Sequence, residues 1–146
     1  MPTVKRSARA PYTTEQMFDL VNDVESYPKF LHWCRGARVD SMQGNTVEAT
    51  LEIGVLGFHQ RFRTRNTLQR PERIGIDLVS GPFRRLRGEW RFVAIQEQET
   101  DISLTLTFEV TLSPFGVVFA KVFEELAIAQ MAAFVERAKT VYGSSG

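Results

Sequence analysis

Cysteine is almost missing from this chain of 146 residues: Cys34 stands alone, so no internal disulfide forms. The two histidines, His32 and His59, make no Cys/His cluster at metal-ligand spacing, and neither a metal nor a cofactor is expected. Charge of one sign is not in excess, because 18 Lys and Arg face 17 Asp and Glu and leave a net +1. That balance excludes a histone-like or acidic-tail protein; DNA is not an expected partner, and any basic docking surface must be local. Long hydrophobic runs are lacking too. The stretch from Val110 to Ala120 carries no charge but falls well short of the ~20 apolar residues of a membrane-spanning helix. Lys5, Arg6 and Arg9 are followed by no apolar run, so no secretory signal is read and a cytoplasmic setting is expected. There is no phosphate-binding loop or dinucleotide fingerprint, since Gly54-Val55-Leu56-Gly57 is a turn that leads into no helix.

What is present is the pattern of one ordinary globular domain over residues 1–146, 43% hydrophobic and 24% charged, without linker or repeat. Thr13 or Thr14 can cap a short helix over Glu15 to Val21, with Met17, Phe18, Leu20 and Val21 as its apolar stripe. After Pro28 a second brief helical or irregular segment holds Phe30, Leu31 and Trp33. From Ala37 to Leu112 the period becomes two. Val47, Ala49, Leu51 and Ile53 alternate with polar neighbours, as do Phe58, Gln60, Phe62 and Thr64. Ile74, Ile76 and Leu78, then Leu86, Trp90 and Phe92, then Ile102 through Leu112 continue the pattern. Turns fall at Gly44-Asn45, Gly54 to Gly57, Pro71 and Gly81-Pro82, so five or six strands in an antiparallel meander are predicted. A helix from Ser113-Pro114 to about Tyr142, stopped by Gly143, would be roughly 40 Å long. Steps of 100° gather Phe115, Phe119, Val122, Phe123, Leu126, Ala133, Phe134 and Val141 on one stripe.

An antiparallel sheet with one apolar face needs a cover, and the last helix supplies it. The space between them is either a solid core or an apolar cavity of the kind that takes small hydrophobic ligands. The candidate lining is Phe30, Trp33, Leu51, Phe62, Leu78, Trp90, Leu106, Phe119, Val122, Phe123, Leu126, Gln130 and Phe134. Gln130 falls near the centre of the helix's apolar stripe, where a buried amide needs a partner: another protein group, or a ligand oxygen. Arg137 shares the stripe but lies near the helix end, where its stem packs and its charge reaches water. On the wet strand faces, His59, Arg61, Arg63 and Arg65 are followed by Arg84, Arg85, Arg87 and Arg91. Glu48 and Glu52 either neutralise this face across the strands or leave a docking patch for phosphate, of lipid headgroups or of ribosomal RNA. No aromatic is interleaved there for base stacking. His32 and Cys34 are close in sequence, but no spacing specifies an oriented base and acid, so no catalytic residue is assigned.

Five segments in register, Leu20 to Pro28, Leu78 to Phe83, Gly88 to Phe92, Lys121 to Ala127 and Arg137 to Tyr142, resemble the Coq10/RatA family of START-like proteins. The resemblance spans almost the whole chain. It implies an α+β helix-grip fold: an N-terminal strand, two short helices, and a curved antiparallel sheet wrapped around a long C-terminal helix, enclosing a hydrophobic tunnel. On function it leaves two readings. In the first, the protein holds a ubiquinone-like polyisoprenoid in that tunnel without reacting it, supports respiration, and touches the inner membrane peripherally. In the second, it is a ribosome-associated toxin that binds the large subunit and blocks subunit joining. Polyketide cyclases and aromatases among START-like proteins add an enzymatic reading, ranked below both. Where relatives tend to read Tyr-Pro-Glu-Phe-Leu-Pro, this chain has Tyr27-Pro28-Lys29-Phe30-Leu31-His32, so Lys29 and His32 change charge and stiffness near the expected cavity mouth.

Overall fold

A computed structural model of the chain describes residues 3–143. In order, the elements are β1 (Thr3–Ala10), α1 (Thr14–Asn22), a 3₁₀ helix (Val24–Lys29), β2 (Cys34–Gln43), β3 (Thr46–Val55), β4 (Phe58–Gln69), β5 (Arg73–Ser80), β6 (Phe83–Gln96), β7 (Glu99–Val110) and α2 (Pro114–Tyr142). The strands form one seven-stranded antiparallel sheet in the order β1-β7-β6-β5-β4-β3-β2. Six belong to the predicted meander; the seventh, β1, comes from outside it and pairs with β7, as the family resemblance implies. Register shifts at Val39/Ser41, Arg63/Thr64, Phe83/Arg85 and Ala94/Gln96 bend the sheet, as an extra residue on one strand does.

Local chemistry sets the ends of the helices. Thr13 Oγ1 accepts from the Gln16 amide at 3.1 Å, and Gln16 Oε1 accepts from the Thr13 amide at 2.9 Å, a reciprocal cap worth about 1 kcal/mol. Ser113 Oγ accepts from the Gly116 amide at 2.9 Å, with Pro114 at the first helical position. Gly116 must be glycine, because a Cβ there would lie 1.9 Å from the Thr111 carbonyl oxygen where α2 folds back over the exit of β7. The far end of α2 is clamped by two phenols: Tyr12 Oη donates to Gly143 O at 2.5 Å and Tyr142 Oη donates to Gln16 O at 2.7 Å.

The buried face of α2 is Gly116, Phe119, Phe123, Ala127, Met131, Phe134 and Ala138, at steps of three and four residues. The 100° reading is corrected at both ends, where Phe115 and Val141 are exposed because they lie off the line of Gly116, Phe119, Phe134 and Ala138 that faces the core. The short aromatic segment after α1 also begins earlier than expected, with Pro28 inside the 3₁₀ helix. Phe134 ties the layers together: its ring centroid lies 5.3 Å from those of Tyr27 and Phe30 and 5.2 Å from that of Trp90. Phe134→Ala is expected to cost about 3–5 kcal/mol in urea unfolding, since it opens a cavity at the junction of α2, the 3₁₀ helix and β6.

Candidate functional site

The concave face of the sheet and α2 do not meet everywhere. Between them lies a hollow of about 80 Å³. Eight predicted residues line it: Trp33, Leu51, Phe62, Trp90, Leu106, Phe123, Leu126 and Gln130. The other five do not. Phe119 is fully buried against Phe83 and Phe58, Phe134 and Phe30 pack on Tyr27, and Leu78 and Val122 are half-buried outside the lining. Phe30 also carries the Arg137 guanidinium over its ring at 5.2 Å. The hollow further touches Val24, Tyr27, Ala49, Thr64, Asn66, Ile76, Leu86 and Ala127. Among these, Thr64 and Asn66 are polar. They continue the inward series of β4 two residues at a time, so carrying the period past Phe62 reaches them.

These two side chains set the chemistry of the hollow. Thr64 Oγ1 donates to Asn66 Oδ1 at 3.1 Å on the sheet side, while Gln130 enters the lining from α2. Among the described residues Gln130 has no hydrogen-bond partner. A space of 80 Å³ admits water to such a polar spot but is smaller than the ~150 Å³ apolar cavity that takes up benzene, and smaller than the roughly 300–1,000 Å³ of drug-sized sites. The tunnel expected from the resemblance is narrow here because aromatic side chains fill it. Gln130→Leu is expected to leave the melting temperature unchanged or raise it, since it removes an amide with no protein partner; a clear drop would mean that a buried water or ligand holds that amide.

Lys29 and His32 are exposed on the outside of the wall that Tyr27 and Trp33 form from within. Cys34 is buried, its Sγ donating to Gly36 O at 3.3 Å, and burial pushes its thiol up to about 11. It stays protonated at neutral pH and is a poor nucleophile there.

The convex face carries the arginines, and register pairs them. Arg61 Nη2 lies 3.0 Å from Glu52, Arg63 Nη2 2.7 Å and Arg65 Nη2 3.0 Å from Glu48, Arg87 Nε 3.3 Å from Asp77, and Arg91 Nε 3.0 Å from Glu89. Several acids serve two cations: Asp40 meets Arg38 and Arg63, Glu48 meets Arg63 and Arg65, and Glu89 meets Arg73 and Arg91. The face is thus cross-linked yet keeps more guanidinium than carboxylate. The Thr50 hydroxyl and then Arg38 hold Asp40 below the usual carboxylate range; Arg65 does the same for Glu48 and Arg73 for Glu89. A lowered folded-state pKa means that the stabilisation is present above the ordinary carboxylate value near ~4 and is lost as pH falls through the lowered one. Thermal melts should therefore be flat down to about pH 5 and fall below it, with a shallower fall in Asp40→Asn.

Comparison with known proteins bears on both faces. The family model described as "Polyketide cyclase / dehydrase and lipid transport" matches residues 10–135. The ribosome association toxin RatA of Escherichia coli (strain K12) is 40% identical over 144 residues, covering 99% of this chain and 91% of that protein. The coenzyme Q-binding protein COQ10 homolog B of Xenopus laevis is 24% identical over 136 residues, covering 90% of this chain and 56% of that protein. In fold, the chain is similar to the Zhui aromatase/cyclase of Streptomyces sp. R1128, with a TM-score of 0.85 at 16% identity, covering 99% and 98% of the two chains. The chain belongs to the Coq10/RatA family of START-like proteins, within the cyclase and lipid-transport family whose model it matches. No helix among the described residues is long and apolar enough to cross a membrane.

Proposed function

We propose that this protein associates with the ribosome, binding the large subunit without catalysing a reaction and so hindering the joining of subunits. The observation that carries this is the 40% identity to a ribosome association toxin along nearly the full length of both chains. The coenzyme Q-binding relative is more distant and is spanned over little more than half its length. Size supports the same ranking, since the hollow of about 80 Å³ is small for a quinone ring and smaller still for its tail.

The contact in this reading is the convex face. Arg61, Arg63, Arg65, Arg87 and Arg91 present planar donors, and RNA phosphates compete for them with carboxylates of which Glu48 and Glu89 are already shared. Exposed pairs of this kind are held by only about 0–1 kcal/mol each, so exchanging one partner for another costs little. Carriage of a ubiquinone-like lipid in the cytoplasm or at the inner membrane is the second reading. What favours it is the lining itself, with Trp33, Trp90 and Phe62 around a free Gln130 amide, and it requires those side chains to move apart.

Sedimentation of purified ribosomes with the protein tests the first reading. The protein should travel with the large subunit at low salt, and the affinity should fall steeply as salt is raised. Arg61→Glu with Arg63→Glu should weaken the association at least ~tenfold. Equal inhibition of subunit joining by that double variant would exclude this surface, and no co-sedimentation at low salt would exclude the ribosome.

A further inference from the structure

One end of the molecule exposes large aliphatic groups that the fold has no use for. The β3–β4 hairpin closes through two residues, Leu56 and Gly57, both at positive φ (52° and 82°). That geometry favours Asn-Gly or Asp-Gly, and a leucine there is strained as well as being 79% exposed. Nothing in the core draws it out. Phe58, just beyond the turn, packs on Phe115 and Phe119 with ring centroids 5.4 and 6.0 Å away, which brings the hairpin against the first turns of α2. There Leu112 is 85%, Val117 62% and Val118 53% exposed. Five apolar side chains, Leu56, Leu112, Phe115, Val117 and Val118, thus share one end of the protein, where an isolated exposed leucine would call for no explanation.

The rim of this patch is cationic. Arg84 and Arg85 follow the β5–β6 corner, whose Phe83 packs on Phe119, and they share the single carboxylate of Glu109 at 3.8 and 3.9 Å. Arg35 lies across Gly54 at the base of the hairpin, its Nε donating to Gly54 O at 3.3 Å. Lys121 follows Val117 and Val118 by one helical turn, and the first turn of α2 has no acidic residue to offset its positive end.

We propose that this end docks on an anionic lipid bilayer, with Leu56, Leu112 and Val118 entering the acyl boundary and the arginines at headgroup level. Methyl-ended side chains gain from hydrocarbon, whereas an RNA surface satisfies the cations and gives the leucines and valines nothing to stack on. This surface lies beyond the ribosome reading and does not depend on it.

Vesicle co-sedimentation of the full chain tests the inference, with phosphatidylcholine alone and with phosphatidylglycerol added. Leu56→Asn suits the turn, so its melting temperature should equal or exceed that of the parent chain. Binding is expected to the anionic vesicles, to be weak on phosphatidylcholine, to fall with salt, and to drop at least about tenfold in Leu56→Asn. Absence of binding to anionic vesicles, or undiminished binding by Leu56→Asn, overturns the proposal. Loss of ribosome sedimentation in that variant with vesicle binding intact overturns it as well, and reassigns the end to the ribosome.

Discussion

Everything in this molecule depends on an aromatic seam between α2 and the concave face of the sheet. Phe119 and Phe123 of α2 meet Phe83, Phe108 and Phe62 of the strands, with centroid separations from 4.8 to 6.2 Å and mostly tilted or edge-on rings. Such pairs add about 0.5–1.5 kcal/mol each beyond the area that they bury. A second node, Phe134 with Tyr27, Phe30 and Trp90, closes the other half of the helix. The hollow sits between the two nodes, and its small size is a consequence of how well they fill the grip.

This packing divides the protein's work between inside and outside. Within, Thr64, Asn66 and Gln130 leave a polar spot in an otherwise apolar lining. Outside, a charged convex face is cross-linked by shared ion pairs, and one end displays aliphatic side chains among cations. In the proposed ribosome reading, the fold offers more to surfaces than to small molecules. The high identity to ribosome-associating relatives and the narrow interior point the same way.

Much of the fold was legible in the residues. Period-two alternation located β3 to β7, and Ser113-Pro114 with Gly143 bounded α2, because caps and alternation are local signals. β1 was not legible from its pattern: it is one strand, and Arg6 lies in the inward series between Val4 and Ala8. It was expected only through the family resemblance. On α2, Ala127 and Met131 form the centre of the buried face while the larger Phe115 and Val141 are exposed, since hydrophobic size marks a stripe but not which part of it the core covers. Eight of the thirteen candidate lining residues meet the hollow; Phe119 and Phe134 fill the interior instead, and Phe30, Leu78 and Val122 are half-buried away from it, a division set by partners far away in sequence. The neutralising role of Glu48 and Glu52 across the strands was legible, and Glu52 with Arg61 and Glu48 with Arg65 show it. That Glu48 also meets Arg63, two residues along β4, needed the register.

That the hollow is too small to hold a lipid and that recognition lies outside, as proposed, is tested most directly by the mass of the intact protein, purified from cells without detergent and sprayed under native conditions. The bare chain of 16.6 kDa is the result predicted. A stoichiometric adduct whose organic extract contains a prenylated quinone would contradict it.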